Sequence, residues 1–172
     1  MNLETLRHSC AHVLASAVKE LWPDTKLAIG PAIEEGFYYD FDRQGTFSDD
    51  DLLKITQKMQ EIIARDEAFI REELSRDDAI RLFQGIKEDY KVELVNSIPD
   101  AVVSVYRTGG TFVDLCRGPH IESTGQIKAF RLLSVAGAYW HGIETNPMLQ
   151  RIYGTAFATK KELDSYIHNL EE

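Results

Sequence analysis

The sequence predicts an α+β domain, an antiparallel sheet with helices packed on it. Three observations carry this reading. Apolar residues near the start recur at three- and four-residue steps, the period of one helix face. From about residue 100 onward, β-branched and aromatic runs alternate with Gly-containing turns, the pattern of short strands. Three capping pairs, Ser48–Asp51, Ser75–Asp78 and Thr159–Glu162, mark helix starts between and after those runs. No internal repeat, low-complexity tract or flexible linker interrupts the 172 residues, a length that suits one domain or one domain with a small appendage.

Leu3, Leu6, Cys10, Val13, Ala17 and Leu21 give the first helix, which ends before Pro23. His8 and His12 project from one side of it, beside Ala11 and Ala15. Residues 26–33 and 37–41 read as two strands with Glu34, Glu35 and Gly36 as their turn. A second helix follows Ser48, with Leu52, Ile55, Met59, Ile62 and Ile63 as its apolar face. A strand over 69–74 and a short third helix through Phe83 come next, while residues 90–95 fit strand or helix equally. Residues 102–106 and 111–115 flank Thr108, Gly109 and Gly110 as a hairpin. Residues 127–135 and 149–157 are further strands, and a terminal helix runs from Thr159 to about Leu170.

No apolar run approaches the length of a membrane span, and Met1, Asn2, Leu3 and Glu4 do not open a signal peptide. Cys10 and Cys116 do not make a disulfide framework, so a reducing cytoplasm is expected. The net charge of −9 argues against nucleic acid at first sight. Its distribution is uneven. Residues 1–100 carry the acidic excess, whereas residues 101–161 hold Arg107, Arg117, Lys128, Arg131, Arg151, Lys160 and Lys161 against only Asp114, Glu122 and Glu144. A locally positive surface on an acidic protein can still hold a phosphate backbone; ordinary solvated charge is the plainer alternative.

The chemistry concentrates in two four-residue spacings. His8 and His12 lie at i and i+4 on the first helix, so their imidazoles share one face. Cys116 and His120 have the same spacing, but Gly118 and Pro119 between them force a turn at a strand end. Asp114 alternates with Cys116, so both face one side of that strand. Alone, the His8–His12 pair reads first as helix-surface histidines and the Cys116–His120 pair as structural residues. Together they supply a cluster for a tetrahedral metal, or a metal-free pocket whose imidazoles position a water. The absence of an HExxH pattern disfavours a general metallohydrolase.

The stretch Arg7-His8-Ser9-Cys10-Ala11-His12 continues through Leu21-Trp22-Pro23, Ala28-Ile29-Gly30-Pro31 and Gly36-Phe37-Tyr38-Tyr39-Asp40. Further on come Asp114-Leu115-Cys116-Arg117-Gly118-Pro119-His120, Ala136-Gly137-Ala138-Tyr139-Trp140 and the run 149–156. These long ordered motifs resemble the second N-terminal, or editing, domain of bacterial-type threonyl-tRNA synthetases. The likeness spans essentially the whole chain.

The resemblance implies the threonyl/alanyl-tRNA synthetase second additional domain type of fold, with an editing domain over 1–158. It implies a linker helix over 159–172 leading toward a catalytic core absent from this chain. It implies hydrolysis of the ester of serine wrongly attached to threonine tRNA, by water and without a covalent intermediate. Serine lacks one methyl of threonine, and packing separates such a pair only about 10–200-fold, so a second site is needed. By the resemblance His8, His12, Lys91, Cys116 and His120 are catalytic, and Tyr39, Asp114 and Arg117 bind substrate. Lys91 is then expected to hold the substrate or polarise the water, and Asp114 to hold the serine ammonium or hydroxyl.

In the alanyl-type relatives the four equivalent groups bind zinc, whereas threonyl-type sites are expected to need no cofactor. A zinc site here would use His8, His12, Cys116 and His120. Expected partners are the acceptor end of threonine tRNA, held by Arg117, Lys128, Arg131 and Arg151 with Tyr139 and Trp140 as a stacking surface, and the remainder of a synthetase if the chain is a fragment. A free-standing trans-editing protein is the other possibility. The rival functions are a zinc-dependent deacylase of the alanyl type and a non-catalytic tRNA-binding module.

Overall fold

The computed structural model describes residues 2–171; the reading at Met1 and the last residue of the expected 159–172 helix lie outside them. Helix α1 (Leu3–Leu21) is capped by Asn2, whose side chain accepts from the Thr5 backbone N–H. It leads to β1 (Lys26–Leu27), β2 (Ala32–Ile33), β3 (Gly36–Asp42) and α2 (Asp49–Arg65). Next come β4 (Phe69–Ser75), α3 (Arg76–Gly85) and α4 (Asp89–Ser97), then β5 (Val102–Thr108) and β6 (Phe112–Leu115). The chain closes with β7 (Ala129–Tyr139), β8 (Met148–Phe157) and α5 (Lys160–Glu171). The α+β expectation holds, with two antiparallel sheets rather than one. The larger has the order β1-β3-β8-β7, with β2 also on β3, and the smaller is β4-β5-β6.

The helix starts follow the side-chain chemistry of the sequence. Ser48 and Asp51 form a reciprocal capping box at α2, and Ser75 accepts from the Asp78 N–H at α3. The ambiguous stretch at 90–95 is helical. As α4 it buries Tyr90, Lys91 and Val95, and Val95 completes a small core with Phe83, Val103, Val105 and Val113. The expected strand 26–33 is broken at residues 28–31, where Gly30 lies so close to the Tyr39 ring that a Cβ would stand 2.0 Å from it. Gly36, expected in the turn, is the first residue of β3. The strand expected over 127–135 instead spans β7, accommodating one extra residue between Leu132 and Ser134 as a bulge.

The main core encloses α1. Residues 9–18 of that helix are buried without a break, so it has no broad solvated face. Phe37, Tyr39 and Phe41 of β3 and Ile152 and Ala156 of β8 meet it from the larger sheet, while Ile55, Met59 and Ile62 meet it from α2. Ala11, Ala15 and Ala17 keep the helix thin enough to be surrounded. Phe112, Cys116 and Ile121 reach the same core from β6 and the turn after it. The smaller sheet therefore delivers the Cys116–His120 turn directly to the histidine face of α1.

Candidate active site

His8, His12, Cys116 and His120 converge: one possible ligand atom from each lies within 4.8 Å of the others. Cys116 Sγ is 3.4 Å from His8 Nε2 and 3.2 Å from His120 Nε2. The imidazole of His120 stacks on Phe69, with centroids 5.2 Å apart, and meets Tyr106 edge-on at 4.4 Å. The turn that presents it depends on Gly118, whose φ of +77° is left-handed and whose Cβ, if present, would lie 2.2 Å from the Tyr106 hydroxyl oxygen. The Gly118 N–H donates to Cys116 Sγ at 3.2 Å.

A second layer lies beneath this cluster. Lys91 Nζ is 2.6 Å from Asp114 Oδ1, 2.9 Å from the Tyr39 hydroxyl and 2.6 Å from the Ala28 carbonyl. Its three N–H groups thus have three protein acceptors. Asp114 is equally occupied: Oδ1 also accepts from the Leu115 N–H at 2.8 Å, and Oδ2 accepts from Tyr39 at 2.7 Å and faces His12 Nε2 at 3.4 Å. Tyr39, Lys91 and Asp114 are all buried. This layer braces His12 from below and leaves Lys91 no spare donor for a water and Asp114 no spare oxygen for a serine ammonium.

Burial sets the protonation states. It holds the imidazoles of His8 and His12 below the ordinary histidine value, and for His12 the neighbouring His8 and Lys91 charges add to the effect. Burial pulls His120 down to about 2, with the other two histidines contributing. The Cys116 thiol is pushed up to about 12 by burial, against the Gly118 N–H that favours its anion. The cluster is therefore three neutral imidazoles and a protonated thiol at neutral pH. Such a set can accept hydrogen bonds from water but offers no ready thiolate. It also fits a divalent ion. His12 Nδ1 is buried with no hydrogen-bond partner, and neutral imidazoles with one cysteine are a zinc-type donor set.

The mouth of the site lies on the side of His8 and His120, both partly exposed. Arg117 is exposed and, with Cys116, borders a cleft of about 520 Å³ that Arg71, Asp100 and Ser104 also line and that His8, His12 and His120 do not. Lys128 and Arg131 are exposed on the surface. Two expected tRNA contacts are otherwise engaged. Arg151 forms a bidentate pair with Asp40, at 2.8 and 3.0 Å, and stacks over Tyr38. Trp140 is buried against Tyr90 and donates its indole N–H to Glu93, so it is no free stacking platform, whereas Tyr139 is exposed.

Sequence reasoning passed over Ser9. Its hydroxyl lies 2.8 Å from His120 Nδ1. No local pattern singles it out, since Ser16 lies in the same helix and the partners of Ser9 are distant in sequence.

Residues 103–153 match the family described as the threonyl and alanyl tRNA synthetase second additional domain. The matched stretch holds the Cys-Arg-Gly-Pro-His turn of the site, and α1 with its two histidines lies outside it. The chain is 58% identical over 170 residues to the threonine–tRNA ligase of Pelobacter propionicus and 55% identical over 170 residues to that of Syntrophomonas wolfei. It is 58% identical over 172 residues to that of Paramagnetospirillum magneticum. These alignments cover 98–99% of the chain but only 27% of each relative. Over almost its whole length the chain is similar to one part, about a quarter, of these threonine–tRNA ligases. Among the described residues no helix is long and apolar enough to cross a membrane.

Proposed function

We propose that this domain hydrolyses the aminoacyl ester of seryl-tRNA(Thr) after transfer, using a water and no covalent intermediate. The observation that carries the reading is the convergence of three neutral imidazoles on one small, partly open site. An aminoacyl ester is already activated, so holding a water against its carbonyl is the main requirement. His8 and His120 stand at the mouth and accept from the water, orienting a lone pair toward the carbonyl carbon. The water oxygen bonds to that carbon and the bond from carbon to ribose oxygen breaks. One water proton ends on the ribose hydroxyl, and the serine carboxyl group releases the other to solvent. His12 takes its orientation from Asp114, which Lys91 and Tyr39 hold in place. The raised thiol of Cys116 supports a wall or hydrogen-bonding role over a nucleophilic one.

Serine is accepted and threonine rejected if the extra methyl cannot be seated beside the reacting carbonyl. Arg117, Lys128 and Arg131 are the exposed cations for the acceptor end, and Tyr139 is the exposed aromatic for its terminal base. By the same reading residues 1–158 are the editing domain, and 159–172 lead toward a catalytic core. The rest of a synthetase is then a partner in cis, in the cytoplasm.

The proximity of four ligand-type atoms favours one second reading, a zinc-dependent deacylase. His8, His12, Cys116 and His120 would hold the ion, which when bound supplies Lewis acidity at the carbonyl. The deciding experiment is deacylation of seryl- against threonyl-tRNA(Thr) by this chain, with and without chelator. Hydrolysis of the seryl ester that survives chelation and vanishes in His8→Ala is the expected result. Chelator-sensitive activity transfers the reading to the zinc enzyme. Tight tRNA binding with no hydrolysis leaves a binding module and overturns both.

A further inference from the structure

Ser9 is fully buried near the middle of α1. A serine there is neutral to unfavourable for the helix itself, since its hydroxyl competes with backbone hydrogen bonding. Its Oγ has three polar neighbours: the Thr5 carbonyl at 2.8 Å, the Ile121 backbone N–H at 3.0 Å and His120 Nδ1 at 2.8 Å. A hydroxyl carries one proton and two acceptor lone pairs. The Thr5 carbonyl can only accept, so it takes the hydroxyl proton. The Ile121 N–H can only donate, so it takes one lone pair. The remaining lone pair faces His120 Nδ1 and is filled only if that nitrogen carries the ring proton. In the opposite arrangement the hydroxyl would donate to Nδ1, and two oxygens would stand 2.8 Å apart with no proton between them.

From this we infer that Ser9 is a positioning residue, resting on the editing reading above, which fixes His120 as the Nδ1–H tautomer. The bare lone pair of Nε2 then points at Cys116 and the shared site, the orientation needed to accept from a water or to ligate an ion. Ser9 also ties two consecutive residues of the turn to α1, so the imidazole is held in direction as well as in tautomer. Phe69 and Tyr106 restrain the plane of the ring but make no bond to either nitrogen that would choose the tautomer. Cys116 does not choose it, because its sulfur can donate or accept. Among the described residues the choice falls to Ser9, which lies outside the group of residues expected from the sequence to do chemistry.

The test is ¹⁵N-histidine NMR on the chain, with His120 assigned by the resonances lost in His120→Gln. In the wild type the expected spectrum has a protonated Nδ1 and a bare Nε2 at His120. An Nε2-protonated ring overturns the inference without any Ser9 variant. In Ser9→Ala, loss of the Nδ1–H form is expected, together with a fall of about 10–100-fold in kcat on seryl-tRNA and little change in KM, the usual scale for removing a partner that orients a functional imidazole. Ser9→Thr, which restores the hydroxyl, is expected to restore the tautomer. A Ser9→Ala chain that loses stability while His120 keeps the Nδ1–H form shows a merely structural bond and overturns the proposal. The ring spectrum is read without substrate. Failure of the wild type to cleave seryl-tRNA therefore counts against the editing reading and leaves the tautomer to be decided separately.

Discussion

Lys91 Nζ lies 2.6 Å from Asp114 Oδ1, with both side chains no more than 3% exposed. The pair joins α4 to β6 directly beneath the histidines. Removing one partner of a buried pair leaves an uncompensated charge, at a cost of about 3–5 kcal/mol. Lys91→Met is therefore expected to lose that much stability in urea unfolding. The double variant Lys91→Met/Asp114→Leu should recover a large part, since it leaves neither charge behind. If Lys91→Met unfolds at the wild-type midpoint, the pair does not brace the site and Lys91 is free for another role.

Cys116 is the side chain most easily mistaken for a nucleophile. Its thiol is pushed up to about 12, so the thiolate is scarce at neutral pH. Loss of a true nucleophile costs on the order of a millionfold in kcat. Cys116→Ala is expected to fall far short of that, and rapid acid quench during turnover should trap no seryl-enzyme. A covalent seryl adduct on Cys116 would refute the water mechanism.

The histidines make stability depend on pH in one direction. An unfolded imidazole titrates near 6.5, and His120 in the fold is pulled to about 2. Between those values the unfolded chain binds more protons, so stability is complete above 6.5 and is lost as pH falls. The ceiling is about 1.4 kcal/mol per pH unit for one fully shifted group, and His120, partly exposed, contributes less. His8 and His12 act in the same direction. Urea midpoints are expected to drop between about pH 7 and pH 5, and more shallowly in His120→Asn. Equal slopes for the two chains would mean that the His120 imidazole is not held neutral by its surroundings.

Much of this site was legible because its signals are local. The Ser48 and Ser75 caps need only the next three residues, and both form as expected. The alternation of Asp114 and Cys116 put both on one side of the chain, and both meet the α1 histidines. What failed to show was what depends on the other side of a contact. Periodicity gave α1 one apolar face, yet it is buried all round, because the second layer comes from segments distant in sequence. Arg151 and Trp140 read as surface ligands until Asp40 and Glu93 are seen to engage them. Ser9 is silent for the same reason, since its partners His120 and Ile121 lie more than a hundred residues away.

Gly118 offers a sharp test of how the turn delivers His120 and Cys116. Its φ of +77° belongs to a region that costs other residues about 1–3 kcal/mol. A Cβ would also collide with the Tyr106 hydroxyl, 2.2 Å away. Tyr106→Phe removes the nearest colliding atom but leaves two ring carbons at 2.8 Å and the backbone strain. Gly118→Ala is expected to lower the unfolding midpoint and to abolish deacylation, because the turn must shift both side chains that it carries. Adding Tyr106→Phe should return only part of the stability. Thermal unfolding and seryl-tRNA hydrolysis measured on the single and double variants check this. Wild-type behaviour of Gly118→Ala would show that the turn can reach the histidine face by another backbone path.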